Sequence, residues 1–266
     1  MTFKMAIDTP TSSTKTLELE VVRYEQLRSN DNAEVRKLAQ ALSDQGMLFL
    51  DLQGSTAKQL LKDLQTVIQH QRAFFEQPQE EKSKYHTGIR YNGFYTSPIG
   101  VEKIHLGRKE QMAGDRSQLP EALQLVADKV ENVSSFIDKI LREIGMTLAS
   151  SMDERFPASL QDATRPGQSH LTLGISKARA GTPLMDGHTD DGFLTLTFYD
   201  EPFLEVLDRS TNEWNLVEVN RNMPILNVAA QSAKNSGGRL YNPWHRVKMG
   251  ENEINLVMFD LFEDSN

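Results

Sequence analysis

Gly187-His188-Thr189-Asp190-Asp191-Gly192-Phe193-Leu194-Thr195-Leu196-Thr197 is the stretch on which the reading of this chain turns. Its second half alternates, Leu194 and Leu196 against Thr195 and Thr197, which is the period of a strand with one apolar face. Just before it, His188 and Asp190 are two residues apart. On an extended chain both point to the same side while Thr189 faces away. A third donor, His245 in Trp244-His245-Arg246-Val247, follows after 245 − 188 = 57 residues, enough for the chain to cross a barrel and return. Two imidazoles and one carboxylate fill one face of an octahedral ion and leave the opposite face open. The donor set alone does not choose the metal, because Zn(II) would occupy the same atoms.

Working outward, short strand-like segments surround this motif. They fall at 170–177, 187–190, 193–199, 204–207, 214–219, 224–229, 244–249 and 254–262, separated by polar turns. Many short strands after a helical half predict a double-sheet jelly roll with helices packed outside it, its mouth wide enough to hold a metal.

The N-terminal half is read mainly as helices. A short strand is expected near Leu17 to Val22, and a helix over Asp31 to Asp44 from the spacing of Val35, Leu38, Ala39 and Leu42, stopped by Gly46. Met47 to Leu52 reads as a buried strand. Ser55 or Thr56 is placed to cap the next helix, whose stripe includes Leu60, Leu64, Val67 and Phe75 and which Pro78 ends. Residues 85–118 read as loop with short strands around Tyr91 to Tyr95, and one long helix is expected from Pro120 to Ser151.

The order of motifs resembles the catalytic half of the isopenicillin N synthase-like Fe(II)/2-oxoglutarate-dependent dioxygenases. His188-Thr189-Asp190, the Leu-Thr-Leu strand, Trp214-Asn215-Leu216-Val217, Asn227-Val228-Ala229, Ser236-Gly237-Gly238-Arg239 and His245-Arg246-Val247 carry the likeness. Gly46-Met47-Leu48-Phe49-Leu50 and Arg72-Ala73-Phe74-Phe75-Glu76-Gln77-Pro78 extend it into the N-terminal half, so that it covers roughly residues 18–262. The resemblance implies a mainly β fold with α, a double-stranded β-helix core with flanking helices. It also implies Fe(II) on His188, Asp190 and His245, with O2 and a small organic substrate as partners and 2-oxoglutarate as co-substrate. The expected division is a flexible tail at 1–17 and one domain at 18–266, with a helical half to 165 and a catalytic core at 166–262.

One family feature is missing. The resemblance implies Arg-x-Ser shortly after the second histidine, to hold the distal carboxylate of 2-oxoglutarate. Aligned by sequence, Glu253 stands at the Arg position and Asn255 at the Ser position, and no Lys or Arg follows Lys248. The family's tyrosine on an earlier strand is matched by Ile175-Ser176. Three readings stay open: a 2-oxoglutarate enzyme with a relocated anchor, an iron oxidase or oxygenase that draws electrons from its own substrate, or a non-catalytic binding protein of this fold. The candidate replacements are Lys177, Arg179 and Asn255, with Arg239 a further cation. Arg90, Tyr91 and Tyr95, from a stretch at 85–112 that would cover the pocket, and His170, on a strand leading to the site, are the candidate substrate contacts.

Composition sets outer bounds. The 266 residues contain no cysteine, which removes disulfides, zinc-thiolate sites and thiol chemistry. A net charge of −8 and a pI near 5.3 argue against a nucleic-acid partner. No apolar run long enough to span a membrane and no apolar leader are visible, so a cytoplasmic protein is expected.

Overall fold

In a computed structural model, all residues are described except 1–14, 98–99, 153–156, 178–186, 203, 219, 221–222, 248–251 and 264–266. Twelve strands are formed by the described residues: β1 (Thr16–Leu17), β2 (Val21–Arg23), β3 (Met47–Asp51), β4 (Gly93–Thr96), β5 (Val101–Gly107), β6 (His170–Ser176), β7 (Leu194–Tyr199), β8 (Leu204–Asp208), β9 (Glu213–Val217), β10 (Ile225–Val228), β11 (His245–Val247) and β12 (Ile254–Leu261). They make two sheets. The larger has the order β2-β3-β10-β7-β12-β6-β5-β4 and the smaller β1-β9-β8-β11. The two face each other as a double-stranded β-helix, the jelly roll that strand spacing predicts.

Alternation along the strands of the large sheet separates two environments. One set of positions, including Leu171, Leu173, Leu194, Leu196, Val257 and Phe259, packs against the helices Asn32–Asp44, Lys58–Phe75 and Ala127–Ser151 in the main core. Each fully buried Leu or Phe there contributes roughly 1.5–3 kcal/mol of transfer free energy. The opposite positions face the small sheet. Near its apolar end, Met47, Phe49, Ile225, Ile254 and Leu256 form a second cluster with Leu204, Val206 and Val217. The rest of that inner face is polar: His170 and Thr172 on β6, Thr195 and Thr197 on β7, Asn227 on β10, Asp260 on β12. A sheet polar on its inward face must satisfy those groups internally or offer them to a ligand.

Local structure follows the sequence reading at one helix start and departs from it elsewhere. The helix Asn32–Asp44 is capped by Asp31, whose Oδ1 accepts from Ala33 N at 2.8 Å and Glu34 N at 3.1 Å. The next helix is not capped by Ser55 or Thr56. Those residues form a 3-10 turn, and Glu25 Oε1, from a preceding helix, accepts from Thr56 N at 2.7 Å. The single helix expected from Pro120 is two, Glu121–Gln124 and Ala127–Ser151, because Val126 at φ −128° leaves the helical region. Residues expected in an N-terminal tail include β1, whose Thr16 and Leu17 pair in parallel with Leu216 and Val217.

The largest departure is β5. Residues expected to be mostly loop form a seven-residue strand that pairs along its whole length with β6, from Val101↔Ser176 to Gly107↔His170. It is pinned from behind by a buried ion pair. Lys82 Nζ donates to Glu102 Oε1 at 2.6 Å and Oε2 at 2.7 Å, and to the Phe75 carbonyl at 3.1 Å. With Glu102 held on the helix side, alternation turns Lys103 and His105 toward the small sheet.

Candidate active site

His188, Asp190 and His245 meet between the sheets. Their ligand atoms all lie within 4.8 Å of one another. What brings them together is a backbone bridge. His188 N donates to the His245 carbonyl and His245 N to the His188 carbonyl, both at 2.9 Å, and the ring centroids stand 4.4 Å apart. Of the predicted strand at 187–190 only this bridge forms among the described residues. It is enough to fix the pair, since β11 is anchored to β8 by His245↔Val206 and its neighbours.

Each donor is oriented by a neighbour. His245 Nδ1 stands 3.2 Å from the Pro243 carbonyl, which suits a proton there and turns Nε2 toward Asp190 Oδ1 at 3.5 Å. Asn227 Nδ2 donates to Asp190 Oδ2 at 2.7 Å, leaving the other oxygen for a ligand. Burial alone would raise the Asp190 carboxyl. His245, the Asn227 hydrogen bond and His188 together outweigh burial and hold it below the usual carboxylate range. An ionised carboxylate and two imidazoles at this separation fit a divalent cation.

A cavity of about 210 Å³ opens on the triad. Its walls are largely apolar, from Met47, Leu204, Ile225, Val247 and Met258, with Thr197 and Asn227 near the triad and Tyr95 and Ser97 also lining it. One cationic side chain among the described residues lines it, Lys103.

Beside the triad lies a buried polar cluster. Thr195 Oγ1 donates to Asp260 Oδ1 at 3.0 Å, and His170 Nε2 is 3.3 Å from Asp260 Oδ2. His105 Nδ1 is 2.9 Å from Thr172 Oγ1. Burial, reinforced by Asp190, pushes the Asp260 carboxyl up to about 7. Burial pulls His105 down to about 3 and His170 down to about 4. Neutral imidazoles against a carboxyl that readily keeps its proton let this cluster sit in a dry site without unpaired charge.

The other residues singled out from the sequence divide sharply. Tyr95 lines the cavity. His170 does not; it is buried in the polar cluster, stacked on Tyr91 with centroids 4.7 Å apart. Tyr91, held at φ 61°, donates to Asp191 Oδ2 at 3.0 Å, and Arg90 donates to the same oxygen at 2.6 Å. Arg90 and Tyr91 therefore clasp the residue after Asp190 instead of lining the pocket. Lys177 points away from the cavity, donating to the Phe75 carbonyl at 3.1 Å. Arg179 lies outside the described residues. Arg239 donates to the Met152 carbonyl at 2.9 Å, away from the site.

The register of β12 corrects the reading of the lost anchor. Ile254, Leu256 and Met258 face the cavity. Asn255 faces the opposite way. Its Oδ1 accepts from Arg72 Nε at 2.9 Å and its Nδ2 donates to Asp200 Oδ2 at 2.6 Å. Glu253 is exposed just before the strand. The side chains at the head of β12 that do face the cavity are thus apolar, not acidic, and Asn255 cannot serve a ligand there. Lys103 lies in the stretch at 85–112, where the sequence mixes aromatics and cations that could hold a carboxylate but does not say which of them reaches the pocket. Its signal was the alternation of Lys103 and His105 with Ile104 and Leu106.

Comparison with known proteins agrees with this geometry. Residues 19–146 match the family described as the N-terminal region of a non-haem dioxygenase in morphine synthesis. A 2-oxoglutarate-dependent dioxygenase of Gibberella zeae is 27% identical over 252 residues, covering 88% of this chain and 74% of that protein. The 2-oxoglutarate-dependent dioxygenase gloE of Glarea lozoyensis is 24% identical over 245 residues, covering 86% and 74%. Among solved structures, the rice dioxygenase for auxin oxidation superposes with a TM-score of 0.76 at 20% identity, covering 93% of this chain and 84% of that one. The Arabidopsis thaliana dioxygenase for auxin oxidation 1, solved with 2-oxoglutarate, gives 0.77 at 18% identity, covering 93% and 94%. The fold and its inward-facing triad define a non-haem oxygenase. In its N-terminal half, in its relatives and in its fold, the chain is similar to the 2-oxoglutarate/Fe(II)-dependent dioxygenases.

Proposed function

We propose that this protein is a non-haem Fe(II) enzyme that uses O2 and 2-oxoglutarate to oxidise a small organic molecule. The observation that carries this reading is the convergence of His188, Asp190 and His245 on one side of an enclosed, mainly apolar cavity. On this reading those three residues hold the iron, and Asn227 and the Pro243 carbonyl keep Asp190 and His245 in the orientation they need. Iron held there would supply the O2 chemistry; one oxygen atom goes to succinate with release of CO2, and the other to the product in a hydroxylation or to water in a desaturation or oxidative cyclisation. The protein's own part is to orient the ligands, exclude water with Met47, Ile225 and Met258, and limit the substrate to what the remaining space admits.

One observation favours a second reading. Ile254 and Leu256, which face the cavity from the head of β12, offer a carboxylate nothing. An oxidase that takes its electrons from its own substrate would not need an anchor there. Incubation of Fe(II)-loaded protein with O2, with and without 2-oxoglutarate, separates the two. Succinate formation coupled to O2 uptake is expected. O2 uptake that is indifferent to 2-oxoglutarate, with no succinate, would establish the second reading.

The relatives' names and the triad together argue against a purely binding role. No helix among the described residues is long and apolar enough to cross a membrane.

A further inference from the structure

Lys103 stands out among the basic residues around this cavity. The cations nearby on the sequence or on the same strands have partners outside it. Lys82 is spent on Glu102, Lys177 on the Phe75 carbonyl, Arg72 on Asn255, and Arg246 on Glu205. Lys103 lines the cavity together with His188, Asp190 and His245, yet makes no hydrogen bond or ion pair within 4.0 Å among the described residues. Burial lowers its pKa, while the Asp260 and Asp190 carboxylates act to raise it. Neither carboxylate is available as its partner. Asp190 is held by Asn227 and faces the histidines, and Asp260 is bonded to Thr195 and paired with His170. A partly buried lysine without a partner is poorly served by packing alone, and an anion bound beside it would favour its charged form.

The strand geometry shows where the stem of that side chain lies. Lys103 stands opposite Gly174 on β6, and Gly174 stands opposite Leu256 on β12. Gly174 has no side chain to separate them. A Cβ placed there would touch Lys103 Cγ at 3.4 Å and Leu256 Cδ2 at 3.4 Å, so the lysine stem lies across the glycine toward Leu256. The buried Lys82–Glu102 pair, one residue back on the opposite face, fixes the strand that carries it. The head of β12, apolar itself, is thus approached by the stem of a lysine from two strands away, whose amine acts on Asp260, Asp190, His105 and His170 beside the triad.

We propose that Lys103 is the residue that binds the far carboxylate of 2-oxoglutarate, taking from β5 the role that Ile254 and Leu256 cannot fill on β12. This rests on the co-substrate reading given above. A metal-chelating 2-oxo acid has its second carboxylate several atoms from the metal, inside a cavity whose only cation among the described residues is Lys103. Ammonium, unlike guanidinium, meets a carboxylate as a point charge without a fixed fork, so a strand two places away can supply it without matching the geometry of an arginine.

The test uses full-length, Mn(II)-loaded protein without O2 and two probes, 2-oxoglutarate and 2-oxopentanoate. The second has the same carbon chain and lacks the far carboxylate. Calorimetry on wild type should show 2-oxoglutarate preferred. In Lys103→Met its affinity should fall at least about 30-fold, the consequence of removing one partner of a desolvated charge pair. Affinity for 2-oxopentanoate and for Mn(II) should stay unchanged, and the melting temperature of the unliganded variant should not fall. Lys103→Arg should retain a preference for 2-oxoglutarate, and it stands in if the Met variant does not fold. Preference intact in Lys103→Met, or absent in Lys103→Arg when the Met variant is insoluble, would overturn the assignment. Wild-type protein that binds Mn(II) but neither 2-oxo acid would overturn the co-substrate reading itself, and this assignment with it.

Discussion

Asn227→Leu tests whether the support behind Asp190 matters as much as its geometry suggests. Asn227 Nδ2 donates to Asp190 Oδ2 at 2.7 Å, and Asn227 is buried with 4% of its surface exposed. Leucine keeps the volume and removes the donor. A hydrogen bond to an ionised group contributes about 1.5–3 kcal/mol. Without it the balance that keeps Asp190 ionised weakens, because burial, the largest influence on that carboxyl, acts to raise it. The metal must then displace a proton more often and meets a carboxylate free to turn. Losses of this kind weaken metal affinity about 10–100-fold, or about 1.4–2.7 kcal/mol, which agrees with the hydrogen-bond figure. Anaerobic calorimetry with Fe(II) or Mn(II) on wild type and Asn227→Leu at one pH gives the ratio directly. The variant's loss should shrink as pH rises, since the competing proton is removed. Wild-type affinity in Asn227→Leu at neutral pH would refute the reasoning and mean that the histidines alone position the ion.

Lys82→Met leaves Glu102 buried beside only a distant Lys177, at 3.8 Å, and should cost about 3–5 kcal/mol in chemical denaturation; the double variant Lys82→Met/Glu102→Leu should recover most of it, and failure to recover would mean that the pair is not the cause. Acid stability should reflect His105, whose folded pKa is near 3 against about 6.5 in the unfolded chain. Between those values the unfolded chain binds the extra proton, so stability is lost as pH falls through this window, by at most about 1.4 kcal/mol per pH unit. Asp260, raised to about 7, acts in the opposite sense between roughly pH 4 and 7, so the comparison that isolates His105 is the difference in slope between wild type and His105→Gln. Urea titrations at pH 5 and pH 7 should show the shallower acid loss in His105→Gln, and equal slopes would count against a neutral buried imidazole.

Much of the site was legible because its chemistry is local. His188-x-Asp190 needs only the strand period to place both donors on one side, and the Leu194–Thr197 alternation separates helix-packed leucines from threonines facing the cavity. The helix Asn32–Asp44 was legible for the same reason, since its cap and its stripe lie within one stretch of chain. What was not legible depends on register or on distant partners. The number of residues that the chain between His245 and β12 consumes in turning decides whether Asn255 or Leu256 faces the cavity, and no local pattern reports it. The cap on Thr56 comes from Glu25, across tertiary space. β5 was obscured because Glu102 sits on the apolar side of the strand, and its burial makes sense only with Lys82 in place. Once β5 is read as loop, Lys103 has no direction and cannot be told from the other cations of 85–112. The clasp of Arg90 and Tyr91 on Asp191 spans about a hundred residues of chain and likewise has no trace in the sequence near either end.

The central claim is that His188, Asp190 and His245 together form one metal site. Anaerobic Fe(II) titration of wild type and of His245→Ala, with far-ultraviolet circular dichroism recorded on both, addresses it most directly. One equivalent bound by wild type is expected, and none at comparable affinity by His245→Ala with its spectrum unchanged. A His245→Ala protein that still takes up one equivalent of iron with wild-type affinity would contradict it.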